Sequence, residues 1–254
     1  MSSSPPSCAQ DLPRPRDPIT AVLVVVPAHD EEDRIGACLD SVRRAVDELA
    51  RVDADLAISV VVVLDRCTDD TSAVVGVRHD VTAVAIGSGC VGAARRAGIR
   101  HGTADLDHDP AGVLVVNTDA DCTVPARWLV EHLALASACD LVLGEVEPDA
   151  GEMSPASLAL WRARHPLDRG GLHGANLSVR LDAYDRVGGF AEVADQEDVL
   201  LVRALRAGGA SVVGGTRVTT SGRRLGRVPS GFATYLAGLD DELGATPDEV
   251  GSQA

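Results

Sequence analysis

Short apolar runs, each followed by a polar turn and a stretch with helical spacing, alternate through the first 150 residues. The runs at 21–26, 58–64 and 113–118 are β-branched and nearly unbroken, as in parallel strands covered by helices on both faces. A weaker run at 81–86 and another at 141–146 complete the set of expected strands. Between the first two, Ile35, Leu39, Val42, Val46 and Leu49 recur at helical spacing over 34–50. Further helices are expected from about Thr71, over 91–101 after Gly87-Ser88-Gly89, and over 125–138 with Pro125 in the first turn. Four strand–helix units in succession predict an α/β fold: a parallel, right-handed wound sheet flanked by helices.

The rhythm changes after Pro148. Residues 154–165 read as a helix, and a glycine-rich segment from Gly170 to Asn176 enters a short strand at 177–180. Gly188-Gly189 closes a short helix. An amphipathic helix over 197–206 ends at Gly208-Gly209. The last thirty residues are rich in Gly, Arg and Asp, with Phe232, Tyr235 and Leu236 as the expected docking side chains. There is no internal repeat.

Composition narrows the picture. The chain has 254 residues, 45% of them hydrophobic but only 2% aromatic, so one large domain with an aliphatic core is expected. All 23 basic residues are arginine, which removes any mechanism needing a catalytic lysine. A net charge of −15 opposes binding to nucleic acid or anionic membranes. The six cysteines form no C-x-x-C pair and read as reduced thiols of a cytoplasmic protein. Residues 1–18 are rich in Ser and Pro without an apolar core, as in a disordered leader. No apolar run approaches the roughly 20 residues of a spanning helix, so a soluble protein is expected.

The candidate chemistry gathers at strand ends. The run 113–118 stops at Asp119-Ala120-Asp121, two carboxylates that repel unless a cation or a proton lies between them. Mg²⁺ or Mn²⁺ held by one or two carboxylates plus a diphosphate would suit such a pair. A plain helix cap by Asp121 or Thr123 would account for the same residues without a ligand. The first strand ends in Pro27-Ala28-His29-Asp30-Glu31-Glu32, and the second in Asp65, placed to accept from a ring N–H of uracil or thymine. Three acid-bearing strand ends share the edge where open α/β sheets bind ligands.

The ordered segments Val-Val-Pro-Ala-His-Asp-Glu-Glu (25–32), Val-Val-Leu-Asp-Arg-Cys-Thr-Asp-Asp-Thr (62–71), Gly-Ala-Ala-Arg-Arg-Ala-Gly-Ile (92–99) and Asn-Thr-Asp-Ala-Asp-Cys (117–122) resemble the family 2 glycosyltransferases of GT-A fold. Gly-Ala-Asn-Leu-Ser-Val-Arg (174–180), Val-Gly-Gly-Phe (187–190) and Gln-Glu-Asp-Val-Leu-Leu-Val-Arg-Ala-Leu (196–205) are similar to the acceptor half of that family. The resemblance runs from about 21 to 227. It implies one GT-A domain over 19–227, with a nucleotide-sugar half at 19–148, a smaller mixed acceptor half at 149–227, and a tail at 228–254.

Roles follow from the resemblance position by position. Pro27, Ala28, Asp30 and Glu31 would line the nucleoside pocket, Asp65 would meet the base, and Arg95 would face the nucleotide. Asp119 would sit near ribose and metal, and Asp121 would coordinate Mn²⁺ or Mg²⁺ on the diphosphate. Gly174 and Asn176, with Ala175 between them, would bring backbone close to the donor sugar. Asp198 would be the base for a hydroxyl acceptor in an inverting transfer, with Glu197 in reserve; His173, Trp161 and Arg203 would shape the acceptor pocket. Arg223 or Arg224 would reach the diphosphate.

The chain departs from the family pattern where Leu64 replaces the first acid of the usual Asp-Asp-Gly-Ser, and where Asp30 replaces a common asparagine. Asp119 and Asp121 also fit a haloacid-dehalogenase-type phosphatase, which the missing lysine argues against. A sugar-nucleotide pyrophosphorylase would need a glycine-rich basic loop where Pro27–Glu32 is acidic. A nucleotide-sugar-binding module without transfer activity is also compatible with the acid missing at Leu64, although Asp121 and Asp198 count against it.

Overall fold

The computed structural model describes residues 16–104, 106, 108–165, 172–226 and 231–244. At its centre lies β1 (Ala21–Ala28), paired in parallel with β2 (Ala57–Asp65) on one side and β4 (Val113–Asn117) on the other. The short β3 (Thr82–Ile86) adds outside β2, also parallel. In β1, Val22, Val24 and Val26 face one core layer while Leu23 and Val25 face the other, the period of two that a strand covered on both faces imposes.

Helices cover both faces. On the first, α1 (Ile35–Val52) buries Ile35, Cys38, Leu39, Val42, Ala45 and Leu49 along one stripe. The short α2 (Thr71–Gly76) lies beside it. On the second face, α3 (Val91–Thr103) lies close against the sheet, because Gly98 and Gly102 have no side chain to hold it off. A Cβ at Gly98 would meet Val25 Cγ1 at 2.6 Å, so alanine there would lift the helix that carries Arg95.

The sheet departs from the simple parallel succession beyond β4. Its order is β3-β2-β1-β4-β7-β6-β8-β5, so β6 (Leu141–Pro148) does not pair with β4. The fully buried β7 (Leu177–Arg180) fills the slot between them and runs antiparallel to both. Apolar periodicity marks a strand without naming its neighbours, and α4 (Trp128–Ala136) returns the chain one strand further out.

β8 (Val212–Thr220), which the apolar pattern does not predict, pairs in parallel with β6 across a register shift at Leu143/Glu145. Gly214 and Gly215 interrupt its apolar run, which is why periodicity misses it. The two-residue β5 (Cys122–Thr123) closes this edge antiparallel to β8, tying the Asp121 turn to Thr220.

Three helices complete the second half: α5 (Pro155–Arg164), α6 (Leu181–Arg186) and α7 (Glu197–Ala207). Near the C-terminus, residues expected only as docking side chains form α8 (Phe232–Leu243). Its Leu236 and Leu239 pack on Met153 and Trp161 in a small separate core. Arg224 binds Asp240 at 2.5 Å, Ser157 donates to the same carboxylate, and Arg164 meets Glu242 at 2.6 Å. Among the described residues no helix is long and apolar enough to cross a membrane. The expected leader at 1–18 and the glycines at 170–171 fall wholly or largely outside the described residues.

Candidate active site

The C-terminal ends of β1, β2 and β4, with the ends of β6 and β8, border a cleft of about 520 Å³. Pro27, Ala28, Glu31, Asp65, Arg95, Asp119, Asp121, Gly174, Glu197 and Asp198 all line it. Ten of the expected site residues therefore converge from six separate stretches of chain.

On the nucleotide side, the Asp65 carboxylate accepts from Gly89 N–H at 2.9 Å, Cys90 N–H at 3.0 Å and the Ser88 hydroxyl at 2.7 Å. Burial pushes its pKa up, but these bonds outweigh it and hold the group below the ordinary aspartate value. A carboxylate offers about four lone-pair positions, so roughly one remains for a ligand N–H. His29 closes the corner, its Nδ1 lying 2.7 Å from the Asp65 carbonyl oxygen.

Two expected contacts lie elsewhere. Asp30, at φ 52°, directs its carboxylate to the loop after β2, accepting from Thr68 N–H at 2.6 Å and Asp69 N–H at 3.3 Å. Those backbone bonds, Thr68 first, lower its pKa; the residue shapes the loop and does not line the cleft. Asn176 is fully buried and also outside the cleft. Its amide nitrogen donates to the carbonyls of Glu145 at 2.8 Å and Thr216 at 2.7 Å, joining β6 to β8. Its oxygen accepts from Trp128 Nε1 at 2.9 Å and faces His132 Nε2 at 3.0 Å. Burial holds His132 neutral, with its pKa pushed down to about 4. Every hydrogen-bonding position of the Asn176 side-chain amide is used within the protein, and of this segment Gly174 and Ala175 line the cleft.

At the β4 end, Asp119 pairs with Arg95 Nη2 at 2.6 Å and Asp121 with Arg223 Nη2 at 2.9 Å. Burial first and Asp119 second push the Asp121 carboxyl up to about 6, with Arg223 pulling the other way. Arg223 also holds Glu31 through two bonds of 2.7 Å. Both arginines expected near a diphosphate are thus engaged: Arg223 with these acids, and Arg224 with Asp240 on α8, outside the cleft lining.

Arg95 joins the two halves of the site. Its side chain is 3% exposed, against the solvated helix position its spacing would allow. It donates to Asp119 Oδ1 and to the Gly174 carbonyl, and its Nε lies 3.2 Å from Glu197 Oε1. Burial lowers its pKa, but Asp119, Glu197 and Asp198 outweigh that and keep it charged. A Cβ on Gly174 would meet this guanidinium at 2.7 Å, so glycine is required for the approach. The Gly174 N–H in turn donates to Asp198 Oδ2 at 2.7 Å.

Glu197 and Asp198 open α7 behind Gln196, which adopts a left-handed conformation at φ 61°. Such backbone is sparsely populated by residues other than glycine and clusters at functional sites. Burial raises the Glu197 pKa against the pull of Arg95. Asp198 is only half-buried and reaches the cleft. His173 lines the same region, Trp161 is buried beneath it in the α5–α8 core, and Arg203 is exposed on α7 outside the cleft. Gln196, which opens the segment 196–205, Ser221 and Phe232 also line the cleft, although none of the three is expected there as a site residue. The left-handed turn at Gln196 leaves no compositional trace.

A metal would find hard oxygen donors at Asp121 and Asp119. Among the described residues no group of three or more His, Cys, Asp or Glu side chains forms a complete cage. The donor set fits a cation whose remaining ligands are water and substrate phosphate, the usual arrangement for Mg²⁺. Burial first and repulsion from Asp119 second raise the Asp121 pKa, and a cation there would relieve the repulsion.

A parallel first half, an antiparallel insertion at β7 and acids at the strand ends define a GT-A fold. The sequence profile of glycosyl transferase family 2 matches residues 23–180, and the chain belongs to that family. Among solved structures it is similar to S. aureus TarS 1–349 in complex with UDP (19% identity, TM-score 0.56, covering 79% of this chain and 60% of that one). It is also similar to the mannosyltransferase PcManGT from Pyrobaculum calidifontis in complex with GDP-Man and Mn²⁺ (18%, 0.57, 85% and 62%). A third is glucosyl-3-phosphoglycerate synthase from Mycobacterium tuberculosis with Mn²⁺, UDP and phosphoglyceric acid (17%, 0.50, 79% and 69%). The chain spans about three-fifths of the TarS and PcManGT chains. A search of curated protein sequences found no match.

Proposed function

We propose that this protein transfers a hexosyl unit from a nucleoside-diphosphate sugar to a hydroxyl acceptor, with inversion and with a divalent cation bound at Asp121. The observation that carries the reading is one cleft holding both carboxylate pairs, Asp119/Asp121 and Glu197/Asp198, linked through Arg95 and Gly174. When bound, Mn²⁺ or Mg²⁺ would act as a Lewis acid on the leaving nucleoside diphosphate.

The chain's own residues do the rest. Asp65 accepts from the base, while Pro27 and Ala28 border the nucleoside. Arg223, between Glu31 and Asp121, is within reach of added phosphate charge on the same side of the cleft. Asp198 takes the acceptor's hydroxyl proton, in line with the single displacement that inverts the anomeric carbon. The Gly174 N–H holds that carboxylate in place, and Arg95 balances the charge of Asp119 and Glu197. Residues 19–227, divided near 148, carry the donor site and the base, and α8 adds Phe232 to the cleft wall. The free thiols Cys38, Cys67, Cys90, Cys122 and Cys139 support a reducing, cytoplasmic setting.

The test is product detection by mass spectrometry with UDP-, GDP- and dTDP-sugars and Mn²⁺ against a panel of hydroxyl acceptors. Wild type forms product with one of these donors. Asp198→Asn binds the same donor, measured by thermal shift, and forms none. A wild type that binds donors but never yields glycoside would favour the nucleotide-sugar-binding reading; undiminished turnover by Asp198→Asn would remove it from the base role.

A further inference from the structure

The chain has only two Trp, two Tyr and two Phe residues, and three of them, with His165, form a chain of ring contacts from the α5–α8 core to Phe232 at the cleft. Trp161 stacks on His165 with ring centroids 4.7 Å apart, His165 meets Tyr235 edge-on at 5.5 Å, and Tyr235 lies 6.4 Å from Phe232. Phe232 and His173, 6.3 Å apart and nearly perpendicular, both line the cleft. His173 directly precedes Gly174, whose N–H holds Asp198.

Trp161, with Leu236, Leu239 and Met153, fills the contact between α5 and α8, and Phe232 packs at the edge of that core while also lining the cleft. Phe232 itself is only partly buried. The helix that carries it lies beyond residues 23–180, so the family likeness says nothing of it.

We propose that Phe232, braced edge-on by His173, is the platform on which a pyranose ring of the acceptor rests while Asp198 engages one of its hydroxyls. The proposal rests on the reading of Asp198 as the base. A pyranose presents an apolar C–H face and a rim of hydroxyls. The wall matches both: an aromatic surface on one side and, from α7, the hydrogen-bond-accepting carboxylates Glu197 and Asp198. Burial lowers the His173 pKa against the pull of Asp198, which favours the neutral ring beside Phe232. An acceptor carrying its own carboxylate or phosphate here would face the like charge of Asp198. The acceptor class is therefore an uncharged glycoside.

The two phenylalanines make the test direct. Protein labelled with 4-fluorophenylalanine gives two ¹⁹F resonances, and Phe232→Leu assigns them by deleting one. Methyl β-D-glucopyranoside and methyl α-D-mannopyranoside are titrated with and without UDP or GDP plus Mn²⁺. At least one glycoside is expected to move the Phe232 resonance saturably. Phe232→Leu weakens its binding by calorimetry about fivefold to tenfold. Phe232→Tyr restores it, and nucleotide affinity is unchanged in both variants. A Phe232 resonance moved by neither glycoside, or moved only by 3-phosphoglycerate or phenol, overturns the proposal. So does glycoside binding that survives Phe232→Leu intact. Absence of nucleotide binding by the wild type would instead overturn the donor-site reading, and the glycoside titration of the protein alone would still decide the platform.

Discussion

The buried Arg95 guanidinium donates to Asp119 and to the Gly174 carbonyl, and Glu197 pairs with it in charge at 3.2 Å from Nε. Replacing it with methionine would leave two carboxylates facing each other without their cation. Breaking one partner out of a buried charge network costs about 3–5 kcal/mol. We therefore expect Arg95→Met to lose stability on that scale in urea titrations, and Arg95→Lys to recover little of it, since an ammonium lacks the planar fork that meets Asp119 and the Gly174 carbonyl while facing Glu197. Asn176 gives the opposite kind of test. Asn176→Ala strips partners from Trp128, Glu145 and Thr216, a loss of about 2–4 kcal/mol by the penalty for unpaired buried groups. Nucleoside-diphosphate affinity should stay unchanged; weaker nucleotide binding without a fall in Tm would return Asn176 to the donor site. Asp119, Asp121 and Asp198 were legible in the sequence because each follows or opens a recognisable element. The Arg223–Glu31 pair, 192 residues apart, was not, because no local pattern encodes a long-range ion pair.

At the scale of elements, the strands whose ends carry the acids are runs of Val, Leu and Ile that no other structure would accommodate as well. Their order beyond β4 was not legible, since β7 and β6 are told apart only by pairing. β8 hides behind Gly214 and Gly215, and α8 behind a segment in which glycine and charge dilute the apolar spacing. α8 matters because Phe232 opens it. Its anchor is Asp240, held by Arg224 and Ser157. Asp240→Ala should raise amide hydrogen exchange across 232–243 by about tenfold or more, while α1 and α3 keep their protection. Unchanged exchange in α8 would show that Leu236 and Leu239 suffice to hold it.

One sheet and two shared apolar cores join the two halves of the molecule, and carboxylates held in ion pairs set its response to acid. Asp140 takes two bonds from Arg16, at 2.8 and 3.0 Å, and one from Ser211 N–H at 2.8 Å. The Arg16 bond, above all, holds its pKa well below the ordinary carboxylate range, with the Ser211 bonds adding to it against the effect of burial. A carboxylate with a depressed folded-state pKa contributes stability that is present above its unfolded value and lost as pH falls through the folded one. Tm should therefore fall with acid, from roughly pH 5 downward, and Asp140→Asn should flatten that limb while lowering Tm at pH 7. An equally steep acid limb in the variant would shift the cause to Asp65, Glu152 and Asp240, whose pKa values are also lowered.

The central claim is that the edge of the sheet at Asp121 binds a nucleoside diphosphate through a divalent cation. Calorimetric titration of UDP, GDP and dTDP, each with and without Mn²⁺, into wild type and Asp121→Asn tests it without knowledge of the acceptor. The account predicts binding of one nucleotide that requires Mn²⁺ and is lost in Asp121→Asn while the fold is retained. Binding that is indifferent to the metal, or that survives Asp121→Asn undiminished, would contradict it.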